Sequence, residues 1–88
     1  MYRVVFTRLA EKDKARLKQA GLEAKARTLL NLLRESPYTN PPPYEKLTGD
    51  LKGMYSRRIN VQHRLVYDVD EASKTVRVLR MWTHYGDN

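Results

Sequence analysis

The 88-residue sequence has no cysteine, so neither a disulfide framework nor a thiolate metal site is available to it. Its two histidines cannot by themselves complete a zinc shell, and no resident metal or cofactor is expected. No stretch approaches the roughly 18–20 consecutive apolar residues of a membrane-spanning helix. The opening MYRVVFTRLAEKDK lacks the apolar core of a secretory signal, so a cytoplasmic location away from membranes is expected. Glycine-rich phosphate loops, HExxH helices and nucleophile-elbow motifs are all missing. A single domain spanning 1–88 is expected to bury only ~60–65% of the surface its unfolded chain exposes, which disfavours a deep enclosed pocket.

What the chain does have is positive charge. Seventeen Lys and Arg stand against ten Asp and Glu, a net charge of +7 that favours a polyanionic or acidic partner. Up to Glu35 there are nine basic and four acidic residues, so part of the excess belongs to a solvated helical face. A second concentration lies in YSRRINVQHRLVYDV, residues 55–69, where three arginines and a histidine interrupt a strand-like pattern.

The periodicity predicts an α+β domain. Residues 2–6 read as a short strand, and Thr7 is placed to cap a helix over 8–20 with a broad charged face. Gly21 breaks the pattern. Leu22, Ala26, Leu29, Leu30 and Leu33 then form one apolar stripe, the mark of a second amphipathic helix ended by Ser36 and Pro37. Residues 37–53, with prolines at 41, 42 and 43, read as a long ordered loop. Strands follow over 54–59, 63–69 and 75–82, joined by short turns into an antiparallel meander. The order implies an N-terminal strand and a two-helix hairpin packed on one face of a mainly antiparallel sheet, with the other face open.

Strand parity sorts the charge cluster. Leu65, Tyr67 and Val69 suit the core, which sends Arg64, Val66 and Asp68 to the open face. In the preceding strand Arg58 shares that face with Met54 and Ser56, while Arg57 points the other way, to packing or a peripheral contact. Arg58 and Arg64 are therefore the pair suited to an anion. The plainer alternative is a cross-strand salt bridge, for example to Asp68, but exposed pairs contribute only about 0–1 kcal/mol. Two guanidinium groups suit a phosphate better, since each can donate parallel hydrogen bonds.

Cleaving RNA without a metal needs a base for the ribose 2′-hydroxyl, an acid for the leaving 5′-oxygen, and cations for the charged phosphorane. Glu45 stands in the loop before the sheet, and His84 with Tyr85 follows the last strand. Together with Arg58 and Arg64 these supply every role. Met54, Tyr55 and Trp82 add surface on which a base could stack, although Trp82 and Tyr67 fit a core equally well. His63, by parity, reads as structural.

The run YEKLTGDLKGMYSRRINVQHRLVYDV with the terminal WTHYGD resembles the YoeB-type toxins of the RelE-like toxin group. The resemblance implies the RelE-like toxin fold and a bacterial endoribonuclease that cuts mRNA in the ribosomal A site without metal, leaving a 2′,3′-cyclic phosphate. It implies Glu45 as general base, His84 as general acid, Arg64 as transition-state stabiliser, Arg58 on the phosphate and Tyr85 positioning the substrate. It further implies a cognate antitoxin with an acidic, partly disordered segment; toxins of this group often dimerise. Where family members carry a loop lysine after the Glu-x-Leu element this chain has Thr48, which leaves Lys46 and Lys52, with Arg57 beyond them, as further substrate contacts. Two other functions fit the sequence less fully. One is a non-catalytic module binding RNA or an acidic peptide; the other is a gyrase-inhibiting toxin of the same fold, which would need neither Glu45 nor His84.

Overall fold

The computed structural model describes residues 1–83. Strand β1 (Arg3–Phe6) leads into helices α1 (Arg8–Gln19) and α2 (Glu23–Glu35), and then come β2 (Tyr44–Lys46), β3 (Tyr55–Arg58), β4 (Arg64–Asp70) and β5 (Thr75–Thr83). The strands form one sheet in the order β1-β5-β4-β3-β2. Strand β1 runs parallel to β5 at one edge, and every other pairing is antiparallel. No helix among the described residues is long and apolar enough to cross a membrane.

Local chemistry sets the helix ends. The Thr7 side chain accepts a hydrogen bond from the Ala10 amide at 3.1 Å, satisfying one of the orphan donors of the first turn. At the other end Gly21 takes φ of +75°, a conformation costly for a side-chain-bearing residue. That geometry lets the Leu22 amide reach the Leu17 carbonyl at 2.8 Å and the Gly21 amide reach Lys18 at 3.1 Å. This is a Schellman closure, which turns the chain straight into α2.

The helical hairpin lies on one face of the sheet. Ala10 and Leu17 of α1 and Ala26, Leu30 and Leu33 of α2 meet Leu65, Tyr67, Val76, Val78 and Met81. Each fully buried Leu or Val in this set contributes about 1.5–3 kcal/mol relative to exposure. Helix α1 also carries a carboxylate into this interface: Asp13 is 1% exposed. Its reason is the irregularity of β5, whose register against β4 shifts on both sides of Val66. In that stretch the Met81 amide donates to Asp13 Oδ2 at 2.9 Å, and Arg80 Nε donates to the same oxygen at 2.9 Å. A buried amide at the irregularity is thereby satisfied, and the charge of Asp13 is balanced.

The segment expected to be a loop over 37–53 contains β2 and a single 3₁₀ turn, Gly49–Leu51. Strand β2 has only three residues, too few for an apolar–polar pattern to mark it in the sequence. The proline-rich part before it is fastened from within. Arg57, 0% exposed, donates to the carbonyls of Pro37 at 3.0 Å, Thr39 at 2.8 Å and Pro42 at 2.6 Å, and to the Tyr67 hydroxyl at 3.1 Å. Prolines bring acceptors without donors, so a buried planar guanidinium with several N–H groups answers their need.

Candidate active site

The register of the sheet gathers the expected residues on the side away from the helices. Glu45 pairs with Ser56, Ser56 with Val66, and Arg58 with Arg64. Cross-strand partners share a face, so Glu45, Ser56, Arg58 and Arg64 stand together. Arg64 is held at two points. Its Nε donates to Ser56 Oγ at 2.5 Å, and its terminal nitrogen forms an ion pair with Glu45 Oε1. Its side chain is 17% exposed, against 67% for Glu45. A cleft of about 310 Å³, lined by Pro43, Tyr44, Glu45, Arg58 and Arg64, opens above these groups.

The two arginines therefore differ. Arg64 is buttressed, whereas Arg58 is exposed and makes no hydrogen bond or ion pair with any described residue. The alternative partner considered for them, Asp68, is occupied by Arg77, whose terminal nitrogen reaches Asp68 Oδ2 at 2.7 Å. The carboxylate beside Arg77 holds that guanidinium in its charged form more firmly than usual, through the hydrogen bond first and the charge second. Val66, on the same side as Arg64, is fully buried, so this face is not bare throughout.

Other expected contacts fall elsewhere. Arg57 is enclosed beneath the loop, so as a substrate contact it is corrected: it supports the segment that carries Glu45. Lys46 pairs with Tyr55 and alternates to the opposite face from Glu45. Lys52 lies outside the cleft and borders a shallow groove with Arg3, Asp68 and Arg77. Tyr55, offered as a stacking surface, instead stacks on Tyr67 with ring centroids 5.4 Å apart on the helical side. Trp82 stacks on His63 at 3.9 Å, and His63 Nδ1 lies 3.0 Å from the Trp82 carbonyl, in keeping with a structural histidine. Strand β5 ends at Thr83, which pairs with Arg64. His84 and Tyr85 lie outside the described residues.

Ser56 is the residue that sequence reasoning left without a role. Parity put it beside Arg58, and a small hydroxyl next to two arginines on one face was the available signal.

The family profile described as the YoeB-like toxin of bacterial type II toxin–antitoxin systems matches residues 6–85, nearly the whole chain. This chain belongs to that family. Toxin YoeB of Synechocystis sp. is 32% identical over 75 residues, spanning 85% of this chain and 78% of that protein. The solved YoeB/ParE toxin from Agrobacterium tumefaciens superposes with a TM-score of 0.85 at 28% identity, covering 94% of this chain and 99% of the other. The toxin in a YoeB–YefM complex from Staphylococcus aureus does so at 0.79 and 31% identity, covering 97% and 99%. The expected α+β toxin fold is thus the one observed, with β1 parallel at the edge of an otherwise antiparallel sheet.

Proposed function

We propose that this YoeB-like toxin is an endoribonuclease that cuts mRNA in the A site of translating ribosomes in the bacterial cytoplasm and so stops translation. The observation that carries the reading is the convergence of Glu45, Arg58 and Arg64 on one open cleft, with Arg64 fixed by Ser56. The cleft offers a carboxylate for a proton and two cations for a phosphate, two of the three roles that transesterification of RNA requires, and the third, the acid, falls to His84.

In the proposed reaction the scissile phosphate enters between Arg58 and Arg64. Arg64 exchanges its carboxylate partner for a phosphate oxygen, a trade between two anions of similar geometry. Glu45, released and largely solvated, takes the proton of the ribose 2′-hydroxyl. The 2′-oxygen then bonds to phosphorus, the bond from phosphorus to the 5′-oxygen breaks, and His84 gives its proton to that leaving oxygen. Charge on the pentacoordinate phosphorus is stabilised by the buttressed Arg64 and by Arg58, and Tyr85 aligns the substrate. The products are a 2′,3′-cyclic phosphate and a 5′-hydroxyl, with no metal in any step. Lys46 and Lys52, outside the cleft, hold flanking RNA.

The partner reading follows from charge and kinship. A net charge of +7 favours an acidic segment, and a relative forms a YoeB–YefM complex. An acidic antitoxin segment that supplied carboxylates to Arg58 and Arg64 would compete with phosphate for the same donors.

Primer extension on translated mRNA tests the reading. Wild type should produce discrete cuts, and His84→Ala should reduce them by about 10²–10⁴. Absence of cuts with both proteins would sink it.

A further inference from the structure

Beyond Arg58 from the cleft lies a second and larger hollow, of about 620 Å³, bordered by Lys25, Pro42, Pro43, Ile59, Asn60 and Val61. Arg58 and Pro43 line both spaces, so Arg58 stands on the wall between them. Its borders are fixed. Asn60 Oδ1 accepts from the amides of Gln62 at 2.9 Å and His63 at 2.7 Å, and the Ile59 amide donates to the His63 carbonyl at 2.8 Å. The opposite border is held by Arg57 on the Pro42 carbonyl.

On that ordered turn Val61 is 88% exposed, an apolar side chain that the core does not use. A single exposed valine needs no explanation, but this one faces a hollow that it shares with the exposed Pro42 and Pro43 and with the edge of the buried Ile59. At its edges stand two cations, Arg58 and Lys25. Neither forms an ion pair with a described residue; the nearby Glu23 carboxylate is engaged by Arg27 at 3.7 Å.

We propose that this hollow is a nucleotide subsite, taking the nucleotide that adjoins the scissile phosphate. Its base lies against Pro42, Pro43 and Val61, and its two flanking phosphates lie one at Arg58 and one at Lys25. The proposal rests on the ribonuclease reading above and extends it. Cation, apolar ground and cation in succession match the phosphate, base and phosphate rhythm of a single strand, and continuity through Arg58 puts that strand in line with the cleft. Apolar walls accept the face of any base, so this subsite anchors RNA with at most a modest base preference.

The test is fluorescence anisotropy of a labelled 2′-O-methylated RNA trinucleotide, which cannot be cut, bound to the full chain over a range of salt. Lys25→Ala should lower the slope of log affinity on log salt by about 0.7, the value of one single-strand phosphate contact. Val61→Asp should weaken binding about tenfold, the loss of one base contact, with an unchanged melting midpoint because the side chain is exposed. Lys18→Ala, on the exposed side of α1 and outside both spaces, should change neither quantity. Binding by wild type that both Lys25→Ala and Val61→Asp reproduce would overturn the subsite, as would no binding by wild type. Primer extension on translated mRNA with the same preparations separates the two claims. Cuts by wild type alongside either overturning result remove the subsite alone; no cuts remove the ribonuclease reading with it.

Discussion

Arg64 on β4 and Glu45 on β2 form an ion pair that spans the intervening strand β3, directly over Ser56, whose hydroxyl accepts from Arg64 Nε at 2.5 Å. The pair is asymmetric. Arg64 is mostly enclosed and has a second anchor, whereas Glu45 is mostly exposed. In the proposed reaction an entering phosphate would meet a cation already held in place and displace only its exposed partner.

Ser56→Ala removes the anchor and leaves the ion pair. A hydrogen bond from a charged group contributes about 1.5–3 kcal/mol, so mRNA cutting should slow by about tenfold or more. Single-turnover cleavage on stalled ribosomes measures it. A variant as fast as wild type would show that Ser56 does not position Arg64.

Arg57→Ala should destabilise the fold by about 2–4 kcal/mol, because it strands the carbonyls of Thr39 and Pro42 around an empty volume and leaves that of Pro37 with the Tyr67 hydroxyl alone. Arg57→Lys should recover little, since one ammonium cannot match a planar guanidinium aimed at three carbonyls and a hydroxyl. Urea unfolding decides it, and a wild-type midpoint for either variant would contradict the clamp.

Asp13→Ala should cost about 2–3 kcal/mol by leaving the Met81 amide and Arg80 without their shared acceptor. Asp13→Asn should fall between, keeping an acceptor for Met81 and losing the charge opposite Arg80. Equal midpoints for all three proteins would argue that the β5 irregularity does not depend on Asp13.

Raising pH should weaken the fold. Tyr38 holds its proton above the ordinary tyrosine range because it is partly shielded from solvent, though 38% exposed, and because it donates to Glu71 at 2.6 Å. Tyr67 does so because it is buried, with Arg57 opposing the shift. Both folded values lie above the unfolded value of about 10, so the unfolded chain loses its protons first. Stability from these groups is complete below about pH 10 and is lost as pH rises toward the folded values. Glu71 acts in the opposite sense: Tyr38 and then Lys74 hold its carboxyl below the usual range, so its contribution is present above the unfolded value of about 4.3 and is lost in acid. Urea midpoints at about pH 9 and about pH 11 should fall, and Tyr38→Phe should reduce the drop.

Parity alone separated Arg58 and Arg64 from Arg57, because β3 and β4 are paired without a bulge and alternation there is strict. Thr7, Gly21 and the leucine stripe announced the helical hairpin through local chemistry. The place of β1 was not legible, since a parallel edge pairing depends on contacts 72 residues apart, such as Arg3 with Thr75. The irregularity of β5 and the role of Asp13 were hidden for the same reason: an acid in a charged helix looks solvated until the strand beneath it is known. Arg57 was legible as inward, but its partners were not, because three carbonyls in a proline segment carry no side-chain signal.

The most direct measurement is the single-turnover rate of mRNA cutting on translating ribosomes by Glu45→Gln beside wild type. The substitution keeps the size of an exposed side chain and removes the base, so the rate should fall by about 10²–10⁴ while the melting midpoint changes by no more than an exposed ion pair allows, about 0–1 kcal/mol. Cutting at the wild-type rate by Glu45→Gln would contradict proton transfer at Glu45 and with it the proposed chemistry of the cleft.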